Sequence, residues 1–155
     1  MLVNREEIRD LIDKIHSDGK TVVTTNGCFD ILHVGHVRYL EKTKTFADCL
    51  IVLLNSDKSV RSIKGPTRPI NNENDRAEIL SALRCVDYVV LFDEDSPRNL
   101  LDEMKPDVYT KGADYTMETL PEADIMRKNN TRVEFIEFVE GKSTTKIVKQ
   151  VKGEK

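Results

Sequence analysis

Short apolar runs alternate with helical stretches along most of this chain, and this alternation limits the folds that it can adopt. TVVTT (21–25), CLIVLLN (49–55) and YVVLF (88–92) are continuous runs of β-branched and apolar residues, typical of strands buried on both faces of a parallel sheet. DVYT (107–110) and VEFIEF (133–138) predict two further strands. Strands separated by helices in this way predict an α/β fold: a single doubly wound, Rossmann-like domain with about five parallel strands.

Helical periodicity fills the segments before and between these strands. An N-terminal helix in residues 1–19 is predicted by one apolar face, Ile8, Leu11, Ile12 and Ile15. Asn4, with Glu7 three residues later, predicts a capping box at its start. The other predicted helices cover residues 35–46, 76–83, 96–104 and 119–129, with a last helix from Ser143. We therefore expect residues 1–155 to form one domain with residues 21–151 as its core.

Composition disfavours several classes of function. The chain has 24 basic and 27 acidic residues and a net charge of -3, so no overall positive field attracts nucleic acid. The cysteines at 28, 49 and 85 are widely spaced, and no apolar stretch of about 18 residues predicts a signal peptide or a membrane helix. We therefore expect a cytoplasmic protein without nucleic-acid or membrane partners, in which any anion site is local.

Two of the three histidines lie three residues apart where the first buried strand passes into a helix. Positions three apart share a helix face, so His33 and His36 can both point at one group. Gly27 lets the backbone approach a ligand, and Gly35 keeps the helix entrance open. Helix N-termini attract phosphates, and ligands of such sheets bind beyond the carboxyl ends of the strands. The pair therefore indicates a phosphate site; a metal site is less favoured, since no third ligand lies nearby and Asp30 is better placed to orient the turn.

The segment GCFDILHVGH (27–36) resembles the GxFDxxHxGH signature of the cytidylyltransferase-like nucleotidyltransferase superfamily. Further blocks are similar, in order and spacing, to the adenylyltransferase domain for D-glycero-β-D-manno-heptose 1-phosphate: NSD (55–57), IKGPTRPIN (63–71), DRAEILSALRCVDYVV (75–90), KGADY (111–115) and GKSTTKIVK (141–149). The resemblance covers nearly everything after residue 20. It implies a nucleotidyltransferase that joins a phosphorylated sugar to ATP, giving ADP-heptose and pyrophosphate, with Mg2+ carried by the nucleotide.

In that superfamily an oxygen of the acceptor phosphate attacks the α-phosphorus, and pyrophosphate leaves. A phosphate monoester is largely dianionic at neutral pH, with a second pKa of about 6, so no general base is required. Positioning and electrostatic stabilisation then account for the rate. We expect His33 and His36 to donate hydrogen bonds to phosphate oxygens, and the resemblance adds Lys44 and Arg76 as catalytic cations.

The resemblance implies binding roles for a larger set of residues and no metal ligands that the protein itself supplies. Those expected to contact the nucleotide are Asn26, Gly27, Cys28, Phe29, Gly35, Lys111, Gly112, Asp114, Ser143 and Thr144. Those expected to contact the acceptor are Asp30, Lys64 and Arg68. Plainer interpretations exist: the basic residues of segment 58–68 suit a solvated loop, Gly112 an ordinary turn, and Ser143 an ordinary helix cap.

Related enzymes provide the alternatives for the substrates. Cytidylyltransferases for glycerol 3-phosphate or phosphoethanolamine and FMN adenylyltransferases share the histidine element. The glycerol-phosphate enzymes typically carry GDDW, where this chain has GADY (112–115), and an Arg-Thr pair, where it has Phe-Val (138–139), so both departures favour the heptose type. A nucleotide-binding sensor module is the non-enzymatic alternative. The resemblance also implies a homodimer or higher homo-oligomer, with the sugar kinase of the pathway on a separate protein.

Overall fold

The structure is a computed structural model that describes residues 1–137 and 143–153. The strands within those residues are β1 (Leu2–Val3), β2 (Val22–Gly27), β3 (Cys49–Asn55), β4 (Tyr88–Phe92), β5 (Val108–Gly112) and β6 (Arg132–Ile136). The helices are α1 (Ile8–Ser17), α2 (Val34–Lys44), α3 (Asp57–Lys64), α4 (Glu73–Ser81), α5 (Arg98–Met104), α6 (Ala123–Lys128) and α7 (Thr144–Val151), and a 3-10 turn at Arg5–Glu7 precedes α1.

These strands form one sheet in the order β1-β4-β3-β2-β5-β6, and every described pair is parallel. From β2 the chain builds outward through β3 to β4, and it then crosses to β5 and β6 on the other side of β2. The strand order therefore reverses between β2 and β5, where such sheets bind ligands beyond their carboxyl ends. The predicted doubly wound α/β fold is confirmed.

Helices cover both faces of the sheet, so its central strands have no solvated side. All seven residues of β3 are buried. Ile12 of α1 and Met126 of α6 belong to the core on one face, and Leu40 of α2 and Leu80 of α4 belong to the core on the other. This burial on both faces explains why the strands appear in the sequence as continuous apolar runs rather than alternating ones.

The N-terminal segment departs from the prediction in two ways. Leu2–Val3 pairs with β4 at the edge of the sheet, which therefore has six strands rather than about five; two residues are too few for a periodic signal. The predicted capping box is wrong, because Asn4 makes no side-chain capping hydrogen bond and a 3-10 turn follows it. The apolar face of α1 is confirmed by the burial of Ile8, Ile12 and Ile15.

The segment after β3, for which a solvated loop is the plainer interpretation, begins with helix α3. The hydroxyl of Ser56 caps this helix by accepting the N–H of Ser59 at 3.2 Å, and Val60 is buried beneath it. The Phe-Val pair at 138–139, and residues 140–142 that follow it, lie outside the described residues. In the part of the chain that is described, no helix has the length and apolar character that a membrane crossing requires.

Candidate functional site

A cavity of about 350 Å³ lies at the carboxyl ends of β2 and β5, at the point where the strand order reverses. Its volume is within the range of small-molecule sites. The lining residues are Asn26, Gly27, Cys28, Phe29, His33, Gly35, His36, Tyr39, Lys64, Lys111, Gly112, Asp114, Tyr115, Ser143, Thr144 and Thr145. The structure therefore brings together both histidines, Lys64 and every residue with a predicted nucleotide contact.

The two histidines form a stacked pair at the start of α2. The N–H of Gly35 donates to Nδ1 of His33 at 3.1 Å, and the N–H of His33 donates to Nδ1 of His36 at 3.2 Å. The ring centroids are 3.9 Å apart. Because each Nδ1 accepts a hydrogen bond, the ring proton lies on Nε2, and each imidazole offers an Nε2–H donor. Two adjacent donors of this kind suit the oxygens of a phosphate.

His36 is kept neutral by its surroundings. Burial, followed by the effects of His33 and Lys64, lowers the pKa of His36 from 6.5 to about 4. The ring of Phe29 lies against His36 edge to face, with centroids 5.5 Å apart. At neutral pH His36 is therefore a hydrogen-bond donor without a charge of its own.

The lowered pKa of His36 predicts a loss of stability in mild acid. Because the unfolded chain takes up this proton at a higher pH than the folded chain, stability falls as the pH drops from 6.5 towards 4. Because the ring is partly exposed, we expect its titration to lower the free energy of unfolding by only on the order of 1 kcal/mol between pH 7 and pH 5. His36→Gln keeps an acceptor for the N–H of His33 and removes the titration, so urea unfolding should show a smaller difference between pH 7 and pH 5. Equal differences in the two proteins would contradict the assignment.

Gly27 is needed for the close approach of a ring. Phe29 has a positive φ of 44°, which folds its side chain back over the end of β2. A Cβ on Gly27 would lie 2.7 Å from a ring carbon of Phe29, closer than real contacts allow. Phe29 in turn supports His36. The close approach to the backbone predicted at Gly27 is therefore made, in this structure, by the protein's own Phe29 ring.

Three lining residues were not predicted from the sequence: Tyr39, Tyr115 and Thr145. Tyr39 is three residues after His36, so helical spacing contains a signal that places it on the same face of α2. Its hydroxyl lies 2.8 Å from the hydroxyl of Thr25 and 3.3 Å from that of Thr110. These bonds link the cavity wall to two buried threonines within β2 and β5. Thr145 lies in the first turn of α7, next to the predicted Ser143 and Thr144.

The charged lining residues are Lys64, Lys111 and Asp114. Lys64 is exposed at the end of α3, and Lys111 at the end of β5 is half-buried, with its Nζ 3.4 Å from Oδ1 of Asn26. Burial lowers the pKa of Lys111, while nearby carboxylates oppose that change. Across residues 1–137 and 143–153, no three or more His, Cys, Asp or Glu side chains form a group suited to a metal ion.

The start of α7 is attached to the histidine segment. Ser143 caps the helix by accepting the N–H of Lys146 at 3.0 Å. The hydroxyl of Thr144 donates to the backbone oxygen of Ile31 at 3.1 Å. Ile31 comes two residues before His33, so this bond holds the first turn of α7 beside the start of α2. The cap predicted at Ser143 is confirmed, and it lies on the cavity wall.

Lys44 lies away from this cavity, which corrects its predicted place in the catalytic group. It is the last residue of α2, roughly 15 Å along the helix axis from the first turn. Its ammonium pairs with Asp87, whose carboxylate also accepts the N–H of Leu50 near the amino end of β3. Lys44 therefore anchors the far end of α2 to the opposite edge of the sheet.

Arg76 is also corrected, from a phosphate ligand to a buried structural residue. Its side chain has no exposed surface, and it does not line the cavity. One guanidinium nitrogen donates to the backbone oxygens of Cys28 and Asn55, at 2.8 and 2.7 Å. The others donate to the oxygen of Asn71 at 3.0 Å and to the carboxylate of Asp57 at 2.8 Å. Arg76 thus joins the loop after β2 to the end of β3 and the start of α3.

Asp30 and Arg68, predicted to contact the acceptor, contact each other at 3.2 Å. The carboxylate of Asp30 also accepts the N–H groups of Ile70 and Asn71, at 2.8 and 2.9 Å, and its side chain is only 1% exposed. Neither residue lines the cavity. For Asp30 the structure corrects the prediction: the carboxylate fixes the segment around residue 70 and has no surface to offer an acceptor.

Comparison with known proteins gives three consistent findings. The family model described as cytidylyltransferase-like matches residues 24–150. Two curated relatives, both named bifunctional protein HldE, come from Syntrophotalea carbinolica (52% identical over 147 residues) and Wolinella succinogenes (49% identical over 152 residues). They align with 95% and 98% of this chain, which spans only 30% and 31% of their own lengths. A solved lipopolysaccharide core biosynthesis protein from Thermoplasma volcanium is 33% identical with a TM-score of 0.64, covering 80% of this chain and 100% of that one.

Proposed function

The chain belongs to the cytidylyltransferase-like family, and from this premise we propose that it transfers the adenylyl group of ATP to a sugar phosphate, D-glycero-β-D-manno-heptose 1-phosphate. The products are ADP-heptose and pyrophosphate. Nucleotidyl transfer is supported above all by the stacked His33–His36 pair, which lines the cavity at the switch point of the sheet. The choice of acceptor is supported by the similarity to proteins named HldE and to a lipopolysaccharide core biosynthesis protein.

The proposed reaction is a single displacement at phosphorus. A phosphate oxygen of the acceptor forms a bond to the α-phosphorus of ATP, and the bond from that phosphorus to the oxygen bridging to the β-phosphate breaks. The electron pair leaves with pyrophosphate, so negative charge grows on the leaving group. Nε2–H groups of His33 and His36 donate to its oxygens, and because backbone N–H groups already hold both rings in place the donors need no rearrangement.

Besides the histidines, two lysines contribute to the electrostatic stabilisation of the phosphates. Lys64 and Lys111 come from different elements, the end of α3 and the end of β5, and both line the cavity. Two cations on separate walls offset the repulsion between an anionic acceptor and a nucleotide triphosphate. Mg2+ prefers phosphate oxygens with one or two carboxylates, and Asp114 is a carboxylate on the lining. We expect Mg2+ to arrive with ATP and to neutralise charge on the phosphates.

The test is pyrophosphate release in a matrix of two nucleotides and four acceptors. ATP and CTP, each with Mg2+, are paired with heptose 1-phosphate, glycerol 3-phosphate, phosphoethanolamine and FMN. We expect release with ATP and heptose 1-phosphate at a rate at least about a hundredfold above the other pairs, because a site built to hydrogen-bond one substrate discriminates strongly against others. Reactions lacking acceptor are the control for simple hydrolysis.

Each other outcome points to a different function. Release with CTP and glycerol 3-phosphate or phosphoethanolamine would make the chain a cytidylyltransferase, and release with ATP and FMN a flavin nucleotide synthetase. Nucleotide binding without release in any pair would favour the sensor module. A cytoplasmic location, a homo-oligomer and a sugar kinase on a separate protein stay predictions that this assay does not address.

A further inference from the structure

Tyr39 of α2 is hydrogen-bonded to two strands of the sheet. Its hydroxyl lies 2.8 Å from the hydroxyl of Thr25 in β2 and 3.3 Å from that of Thr110 in β5. One turn further along α2, the hydroxyl of Thr43 lies 3.0 Å from that same Thr110 hydroxyl. The three threonines are 0% exposed, whereas Tyr39 lines the cavity. A network of four hydroxyl groups therefore joins α2 to the two strands between which the strand order reverses.

The protons of this hydroxyl network have defined places, because a hydroxyl group has one proton and a carbonyl oxygen only accepts. The Thr25 hydroxyl donates to the backbone oxygen of Thr110 at 3.1 Å, so its own oxygen accepts the proton of Tyr39. Likewise the Thr43 hydroxyl donates to the backbone oxygen of Tyr39 at 2.9 Å, so its own oxygen accepts the proton of Thr110. The hydrogen bonds therefore form a closed circuit through the four residues, in which each hydroxyl proton has an acceptor.

The hydroxyl network lies directly behind three residues that line the cavity. Asn26 follows the threonine of β2 in the chain, and Lys111 follows the threonine of β5. His36 precedes Tyr39 by three residues, so both lie on one side of α2, and both line the cavity. The network thus bonds the helix that carries the histidine pair to the two strands that carry the amide and the ammonium group.

We propose that Tyr39 is a positioning residue, whose hydroxyl bond to Thr25 holds α2 and its histidine pair in a fixed place relative to the ends of β2 and β5. The importance of that place for catalysis rests on the proposed function, since donors from three elements can hold one phosphate chain only when their spacing is right. Hydrogen bonds suit this role because they need a defined distance and direction, whereas apolar contacts are non-directional. Burial raises the pKa of Tyr39, so the hydroxyl keeps the proton that it donates.

The first test measures the position of α2 without any substrate. The rings of Phe29 and His36 meet edge to face, one from the loop after β2 and one from α2, so the nuclear Overhauser effect between them reports on the place of the helix relative to the strand. In Tyr39→Phe, which removes only the hydroxyl, we expect this signal to weaken. Thr25→Val removes the acceptor from within β2 and should weaken it likewise. An unchanged signal in either variant would overturn the proposal.

Thr24→Val is the matched control for a purely structural effect. Thr24 is the preceding residue of β2, is also 0% exposed, and donates to the backbone oxygen of Ile51 at 2.7 Å, outside the hydroxyl network. Its replacement should lower stability much as Thr25→Val does, yet leave the signal between the two rings as in the wild type. An equal weakening in Thr24→Val would show a general loosening of the sheet and would overturn the proposal. Because no substrate is needed, this result stands apart from the outcome of the pyrophosphate assay.

The second test uses kinetics with a productive substrate pair. In Tyr39→Phe we expect kcat to fall by about ten- to a hundredfold, with little change in the affinity for ATP, because a small displacement of catalytic groups is costly. Thr25→Val should show the same fall, although Thr25 is buried away from the cavity and cannot contact a substrate. The double variant should lose no more than either single one. A fall confined to Tyr39→Phe would make its hydroxyl a substrate contact, and losses that multiply would show independent roles; either result would overturn the proposal.

Discussion

His36→Ala is expected to lower kcat/KM for pyrophosphate release by about 10²–10³-fold while the protein stays folded. The substitution removes one of the two Nε2–H donors of the stacked pair, and the charge that this donor stabilises grows only as pyrophosphate leaves. Most of the loss should therefore appear in kcat rather than in the affinity for ATP. Steady-state kinetics with the productive substrate pair, together with ATP binding by calorimetry, separate these two effects.

The third histidine gives the matched control for this prediction. His16 lies near the end of α1, and its ring is 2.8 Å from the carboxylate of Asp107, which also accepts the N–H of Val22 at the amino end of β2. It is thus at the opposite edge of the sheet from the cavity, and His16→Ala should retain wild-type kcat. If His36→Ala loses activity only in proportion to its thermal stability, His36 is a packing residue and the assignment fails.

The sequence predicts best the relative positions of side chains that lie close together along the chain. The spacing of His33 and His36 specified a shared face at a helix start, and the structure has both rings there. Lys111 and Gly112, far along the chain, were also placed correctly, because parallel strands bring their carboxyl ends to one edge. What spacing could not specify is the tautomer, which depends on the backbone N–H groups that reach each Nδ1.

The basic residues show where sequence reasoning fails. Lys44, Lys64 and Arg76 carry the same charge in the sequence, and each was expected to reach a phosphate. Only Lys64 lies on the cavity, because Lys44 is almost three turns into α2 and Arg76 faces the core from the first turn of α4. Whether a cation meets a ligand or the protein's own carbonyl groups depends on tertiary packing, which leaves no local pattern in the sequence.

Arg76→Ala is expected to cost about 3 kcal/mol or more of unfolding free energy, the largest stability change among the variants considered. The substitution removes the donors that satisfy the backbone oxygens of Cys28, Asn55 and Asn71, and it leaves the Asp57 carboxylate without its buried partner. Removing one partner from a buried, hydrogen-bonded ion pair is strongly destabilising, because the groups left behind stay buried without a partner. Arg76→Lys should recover little, because an ammonium lacks the planar set of donors that reaches several acceptors at once. Urea unfolding at pH 7 measures both variants.

Arg61→Ala is the control that separates the loss of a positive charge from the loss of a buried guanidinium with its hydrogen bonds. Arg61 is an exposed cation on α3, only a few residues along the chain from the Asp57 that pairs with Arg76, and its removal should change stability by less than about 0.5 kcal/mol. For Arg76→Ala we also expect lower activity, since its bond to Cys28 fixes the loop that carries Phe29 towards His36. That loss should follow the loss of structure, in contrast to His36→Ala. A stable Arg76→Ala protein with an intact unfolding transition and little turnover would instead return Arg76 to the catalytic group.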